Sequence, residues 1–321
     1  MSDTTRQVLQ MLVGGDLVSG ASIGDKLGIS RAAVWKHLRL LKEWGIPLQA
    51  IKGRGYCLNG GMELLSRQQI IQAMSSESQA LLKELQLIDQ VDSTNSLARL
   101  QIEQGVTTGY ACLSERQTQG RGRLGRNWQS PFGRNMYLSA IWEFQGGVVA
   151  LEGLSLAVGV AVCSAIEGFG VNTITLKWPN DILLDGRKVG GILVEMVGDP
   201  MGVCQVVVGI GVNFGMPREV EIDQPWADLC EHPAVSRNGL AGKVLGELLP
   251  LLAGYSDAGF GHYRQAWEAY DAHRNERVQL STPGKVVQGI ARGVAESGAI
   301  CIEIDGQRME FSGGEISLRR I

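Results

Sequence analysis

The chain has 321 residues, with 30 Lys+Arg against 33 Asp+Glu for a formal net charge of −3, and is 44% hydrophobic and 20% charged. That balance excludes a disordered, collagen-like or fibrous chain and leaves room for two or three domains, at least one with a large core. The charge is uneven: residues 1–61 hold eight basic and four acidic groups, a net +4, and residues 62–321 carry a net −7. A small basic head on an acidic body suggests that the head meets a polyanion and the body does not.

The first residues, MSDTTRQ, lack the basic segment and apolar core of a signal peptide. Residues 4–13 predict a short helix with Val8, Leu9, Leu12 and Val13 on one face. Ser22 is the expected cap of a second helix over 23–27, ended by Gly28. Ser30 caps a third that stops at Gly45. Val34, Leu38 and Leu41 recur at i, i+4 and i+7 and should face the core, whereas Arg31, Trp35, Arg39 and Lys42 lie on another face. Two helices across a tight Gly turn make a helix-turn-helix pattern whose exposed face would enter a major groove. Ser30, Arg31, Ala32, Trp35, Lys36 and Arg39 are the candidate DNA contacts, and Lys52-Gly53-Arg54-Gly55 between two short strands reads as a wing. The alternative is a three-helix packing module with a solvated basic face. An outward Trp35 favours an interface.

Gly60-Gly61 and residues 62–66 mark entry to the body. Helices are expected over 67–73, 79–87 and 95–103, the last capped from Asp92-Ser93-Thr94-Asn95, with a strand over 87–91 leading into it. Residues 110–115 and 136–144 read as strands, and 149–169 as a long buried helix. The apolar run 148–166 contains Glu152 and several Gly and Ser, which argues against a membrane span. Strands come next over 173–177, 182–184, 188–197 and 205–213, then helices at about 239–253 and 257–270. The tail from 273 reads as short strands of a small barrel. The six cysteines are scattered with no CxxC pair, which points to reduced thiols of a cytosolic protein and to neither zinc nor disulfides.

Residues 120–126, GRGRLGR, match GxGxxG on the glycines, but the next residues, from Asn127 on, read as strand, so no helix N-terminus waits for a pyrophosphate. The arginines are more informative. Three in six residues repel one another, and a bound phosphate or carboxylate would relieve that. A surface loop with solvated arginines is the alternative. Lys177-Trp178-Pro179-Asn180-Asp181 sets a Lys, an amide and a carboxylate at one turn, and Lys188 opens an apolar strand beside Gly190-Gly191. Lys188 is either a surface charge ending the strand or a cation aimed into a cleft. Residues 209–213, GIGVN, end another strand with one amide.

The set STN, GRGRxGR, WxSPxGxN, KWPND, RKxGGILVE and GxGxN, in this order, resembles the biotin–protein ligases. With the N-terminal helix-turn-helix the chain looks like their bifunctional class, biotin–[acetyl-CoA-carboxylase] ligase and biotin operon repressor. The resemblance runs nearly end to end, down to a C-terminal GGEISLR. It implies an α+β multidomain fold: a winged helix-turn-helix over 1–62, a biotin/lipoate ligase domain of class II synthetase type with a mixed β-sheet over 63–272, and a small SH3-like barrel over 273–321. It implies that biotin attacks the α-phosphorus of ATP, with Mg²⁺ on the phosphates, to give biotinyl-5′-AMP, and that a lysine of the biotin carboxyl carrier protein of acetyl-CoA carboxylase then expels AMP. The adenylate would also be the corepressor of a cytoplasmic homodimer bound to operator DNA, with no membrane partner.

The same resemblance assigns residues. Arg121, Arg123, Lys188 and Asp181 would serve catalysis. Ser93, Thr94, Asn95, Gln117, Gly120, Arg121, Gly122, Arg123, Lys188 and Gly191 would hold biotin. Trp128, Asn180, Asn213 and Trp226 would hold the nucleotide, with residues 214–226 as the loop over the adenine and no protein metal ligand. Leu124 stands where a further Arg is frequent in the repressor class, and Glu115 and Arg116 stand where an aromatic is expected. A non-catalytic ligand-sensing repressor, and a ligase whose head does not read DNA, are the competing readings.

Overall fold

The computed structural model describes every residue except 218, 219, 221, 283, 284 and 313–315. The head is built from α1 (Asp3–Gln10), α2 (Gly20–Leu27) and α3 (Arg31–Glu43). Val8, Leu9, Leu12, Ile23, Val34, Leu38 and Leu41 close its core, the stripes expected of 3.6-residue periodicity. Ser19, not Ser22, caps α2. The Ser19 hydroxyl accepts the Ser22 N–H, so the helix starts three residues earlier than its sequence suggests. Ser30 caps α3 by accepting the Ala33 N–H at 3.2 Å. β1 (Leu48–Ile51) and β2 (Gly55–Leu58) pair as the wing.

The body starts with α4 (Arg67–Gln72) and α5 (Ser76–Leu81). Its strands are β3 (Glu84–Ile88), β4 (Tyr110–Ser114), β5 (Asn135–Phe144), β6 (Ile174–Lys177), β7 (Asp181–Leu184), β8 (Arg187–Gly198) and β9 (Cys204–Asn213). They form one mixed sheet in the order β3-β4-β5-β9-β8-β7-β6, in which β3 and β4 are parallel and the other pairs antiparallel. The helix expected up to residue 87 ends early, and 84–88 are strand. Leu85 pairs with Ala111 and is buried, and pairing outweighs the helix preference of a Leu- and Lys-rich segment. The expected helix 149–169 is split at Gly153 (φ +68) into a 3₁₀ turn and α7 (Leu154–Glu167). A Cβ at Gly153 would lie 2.4 Å from the Phe260 ring. The two expected helices after 236 are one run, α8 (Arg237–Tyr270), broken once at Gly259 (φ +58). The stretch Gly147–Glu167 is long and apolar enough to cross a membrane, yet most of α7 is buried against the sheet and α8.

Strand alternation then sorts the two faces of the sheet. Met136, Leu138, Ala140, Ile192, Val206, Val208, Ile210 and Val212 point into the core with α7 and α8. Tyr137, Ser139, Gly191, Leu193, Glu195, Gly209, Gly211 and Asn213 occupy the alternate positions, the face that carries α6 (Thr94–Glu103). The tail forms a five-stranded antiparallel sheet of β10 (Arg277–Thr282), β11 (Lys285–Val294), β12 (Ile300–Ile304), β13 (Gln307–Phe311) and β14 (Ser317–Arg320), in the order β13-β12-β11-β10-β14. Trp178 Nε1 donates to Gly298 O at 3.0 Å and joins this sheet to the body.

Between head and body, the Glu115 carboxylate accepts the Leu65 N–H at 2.7 Å and pairs with Arg237 at 2.7 Å, both side chains 1% exposed. Arg237 also donates to Glu63 O at 2.7 Å and to Asn135 O at 2.8 Å. The Arg116 guanidinium donates to Trp44 O at 3.0 Å, and Trp44 packs edge-on against Phe132. The two charged residues that replace an expected aromatic thus seat the head. Breaking a buried pair leaves an uncompensated charge, at a cost of about 3–5 kcal/mol. Arg237→Ala should therefore lower the unfolding free energy by about that much, measured by denaturant titration.

At the end of α8, Asp271 Oδ1 accepts the His273 N–H at 2.9 Å, while Oδ2 is buried without a partner among the described residues. Burial pushes the Asp271 carboxyl up to about 6 and lowers the His273 imidazole. The folded state therefore keeps the Asp271 proton at pH values where the unfolded chain has lost it. That stabilisation is complete below the unfolded pKa and disappears as pH rises through about 6. Asp271→Asn should raise the Tm at pH 8 and leave it nearly unchanged at pH 4.

Candidate functional site

The α6 face of the sheet, the loop before β5 and the last strand of the tail enclose one cleft. β7 and β8 bring its charges. Lys177 and Asp181 face each other across the β6–β7 turn, and Asp181 contacts Lys188 at 2.6 Å and Lys177 at 3.5 Å. Lys188 Nζ also stands 5.6 Å from the centre of the Trp128 ring, a cation–π distance. Lys188 is thus a cation turned into the cleft, with a carboxylate and an aromatic face orienting it.

The 120–126 loop closes one side. Arg121 donates to Ser96 Oγ on α6 at 2.8 Å and Arg123 to Asn180 Oδ1 at 3.4 Å. Burial lowers the Arg123 pKa, with Asp181 pulling the other way. Leu124 takes a left-handed conformation (φ 57) at the loop apex. Gly122 lines the cleft, but Gly120 does not. Gly120 is buried against Trp128 O and Ser130 Oγ, on the side facing the head.

A neutral polar corner lies opposite. Gln117 Oε1 accepts from Thr94 N at 2.9 Å and Thr94 Oγ1 at 3.2 Å, and its Nε2 donates to Ser130 Oγ at 3.1 Å. Ser93, Thr94 and Asn95 are 3–4% exposed at the start of α6. Gly191 and Gly211 on β8 and β9 make room for the Trp128 indole, 3.4 and 2.7 Å from where their Cβ atoms would stand. Small residues in these strands suggest room for a ligand against backbone. They first admit a tryptophan, whose buried Nε1 has no partner among the described residues.

The end of the 214–226 segment runs beside Lys188, through Lys188 N to Pro225 O at 3.1 Å and Ala227 N to Lys188 O at 2.9 Å. Trp226, Met216, Ile222 and Gln224 line the cleft, and Asn213 Nδ2 donates to Ala227 O at 3.0 Å. Residues 218, 219 and 221 of that loop, and the GGE of the C-terminal motif, lie outside the described residues. The tail supplies a wall that sequence reasoning missed: Ile316, Ser317, Leu318 and Arg319 line the cleft. The GGEISLR motif was the available signal, but no spacing argument brings β14 to the cleft. Six cations, Arg121, Arg123, Arg126, Lys177, Lys188 and Arg319, thus surround one carboxylate, Asp181, among the described lining residues. The site is built for an anion beside a neutral polar group.

In the head, Arg31, Ala32, Trp35, Lys36 and Arg39 are exposed on α3, with Trp35 59% exposed and Arg39 over its ring. A helix-turn-helix head and an anion-binding ligand cleft define the class. Comparison with known proteins agrees along the whole chain. Residues 4–57 match the HTH domain, 87–213 the Biotin/lipoate A/B protein ligase family and 273–319 the Biotin protein ligase C terminal domain. The bifunctional ligase/repressor BirA of Escherichia coli is 38% identical, covering 99% of both chains, and that of Bacillus subtilis 29% identical over 95% of both. The structure of the biotin protein ligase from Aquifex aeolicus in complex with biotin and ATP superposes with a TM-score of 0.64 at 32% identity, over 75% of this chain and all of the other. The chain belongs to the biotin protein ligase family, in its bifunctional ligase/repressor class.

Gly211→Ala should push Trp128 out of its seat and cost about 1–3 kcal/mol of stability, as overpacking does. Denaturant unfolding measures the loss, and a crystal structure of the variant should show the indole displaced.

Proposed function

We propose that the protein joins biotin to a lysine of a biotin carboxyl carrier protein by way of biotinyl-5′-AMP, and that the same adenylate makes it a repressor of biotin-synthesis genes. The observation that carries this reading is the cleft itself, with six cations around one carboxylate among its described lining residues, beside a neutral polar corner. In the first step the biotin carboxylate attacks the α-phosphorus of ATP, an O–P bond forms and pyrophosphate leaves. Bringing a carboxylate to a triphosphate opposes like charges, worth roughly 4 kcal/mol per pair at 4 Å and cleft-like dielectric. Arg121, Arg123 and Lys188 offset that as fixed charges and not as proton carriers. Asp181 holds Lys188 in place, and Arg319 from the tail adds a further cation. In the second step the carrier lysine amine attacks the anhydride carbonyl and AMP leaves.

Ser93, Thr94 and Gln117 offer the neutral donors and acceptors that suit a ureido ring. Asn180, Asn213, Trp128 and Trp226, which line the same cleft, would take the nucleotide. Mg²⁺ comes with the nucleotide and lends its charge to the phosphates. Among the described residues there is no metal-binding cluster of three or more His, Cys, Asp or Glu, and Asp181 is committed to two lysines. The domains are 1–62, 63–272 and 273–321, and the protein is cytoplasmic. Adenylate-bound protein dimerises so that two heads reach two operator half-sites. The exposed Val148, Val149, Met201 and Val203, where Val148 N bonds Pro200 O, support an interface at the β8–β9 turn.

Arg121→Ala and Lys188→Ala should each slow adenylate formation about 100-fold, the usual effect of losing one preorganised charge. Pyrophosphate release and carrier labelling measure it, and unchanged kinetics in both would overturn the site assignment. With the wild-type protein, operator affinity should rise with biotin plus ATP and fall steeply with salt.

A further inference from the structure

Glu195, the last residue of the RKVGGILVE motif, has no role in the chemistry of the two ligation steps. It lies on β8 two residues beyond Leu193, which pairs with Gly209, and Gly209 pairs with Ser139 on β5. Asn95 of α6 rests on this row. A Cβ at Gly209 would lie 2.2 Å from Asn95 Oδ1, so glycine is what admits the amide. Asn95 Nδ2 donates to Glu195 Oε2 at 2.6 Å and more weakly to Leu193 O at 3.4 Å. Arg99, one turn along α6, approaches the other carboxylate oxygen at 3.9 Å.

We propose that Glu195 is a positioning residue that fixes the hydrogen-bond polarity of the biotin pocket, making Thr94 an acceptor for a ureido N–H. The proposal rests on the ligase reading and assigns the direction of one contact within it. A carboxylate only accepts, so Asn95 must turn its amine toward Glu195 and its Oδ1 toward Ser139. Ser139 is fully buried, and its single hydroxyl proton has two acceptors in reach, Asn95 Oδ1 at 2.6 Å and Thr94 Oγ1 at 2.8 Å. With Oδ1 presented, Ser139 gives its proton to Asn95. The Thr94 proton has Gln117 Oε1 at 3.2 Å, and the Thr94 oxygen keeps its lone pairs for the cleft. If Asn95 turned over, its amine would donate to Ser139. Ser139 would then have to donate to Thr94, and one of the two lone pairs that the Thr94 oxygen otherwise keeps for the cleft would be occupied. The pocket would lose acceptor capacity for a ureido N–H.

A site built around one hydrogen-bond direction rejects analogues with the opposite one. The test uses adenylate formation from biotin and from its two cyclic carbamate analogues, in each of which one ureido N–H is replaced by a ring oxygen. For one of the two, the wild type should favour biotin strongly. Glu195→Gln should lower that preference at least fivefold. The change should appear in the KM for biotin, with kcat and the KM for ATP nearly unchanged. Asn95→Asp combined with Glu195→Gln places the obligate acceptor one step inward and should restore the preference. If Glu195→Gln weakens biotin and carbamate alike, or the double variant fails to restore the ratio, Glu195 only supports the fold and the proposal is overturned. A wild type that makes no adenylate from biotin would overturn the ligase reading itself, an outcome distinct from an active enzyme with an unchanged ratio.

Discussion

The Glu115–Arg237 pair ties the linker below the head to the sheet and to α8 of the body. Two full charges are removed from water, and the structure can hold them only by satisfying every remaining polar atom. Those obligations fix the surroundings. The Glu115 carboxylate takes the Leu65 N–H, the Arg237 guanidinium takes the carbonyls of Glu63 and Asn135, and the Arg237 N–H reaches Glu63 Oε2 at 2.6 Å. The linker below the head is therefore bonded to the start of α8 and to the start of β5. Asn135 carries the connection further, since its Oδ1 accepts the Phe214 N–H at 3.0 Å and its amine meets Asn213 Oδ1 at 3.4 Å. Asn213 in turn holds Ala227. Both ends of the 214–226 segment are thus anchored to groups that also anchor the linker.

A second constraint is the alternation of the sheet. The face packed on α7 and α8 is continuously apolar, as a buried face must be. The opposite face cannot be equally large, because a cleft has to exist there. Gly191, Gly209 and Gly211 supply the space, and Trp128 and Asn95 fill part of it. The remaining volume meets cations from three separate segments. These cations would destabilise an empty apolar pocket, and Asp181 offsets part of their charge while the solvent-facing arginines shed the rest into water.

Much of this was legible in the residues. The helix-turn-helix followed from the Val34, Leu38, Leu41 spacing and the Gly28 stop, and the strands from period-2 runs. The motif order located Arg121, Arg123, Lys177, Asp181 and Lys188, and the structure brings all five to one cleft. Local chemistry failed where a longer-range contact overrode it. Residues 84–87 look helical alone and are strand because β4 offers a partner. Ser22 looks like a cap, and Ser19 is the one whose hydroxyl receives the N–H.

The sequence by itself determined which residue types the site contains and the sign of its charge, because periodicity, capping and ion chemistry act within a few residues. Only the tertiary structure decided who meets whom. Arg237 reaches Glu115 across 122 positions, Arg319 arrives at the cleft on the last strand, Gly120 turns away from it, and Glu195 sits behind Asn95 and not in the pocket. Those outcomes depend on strand order and register, and a single sequence carries no direct term for the pairing of distant segments.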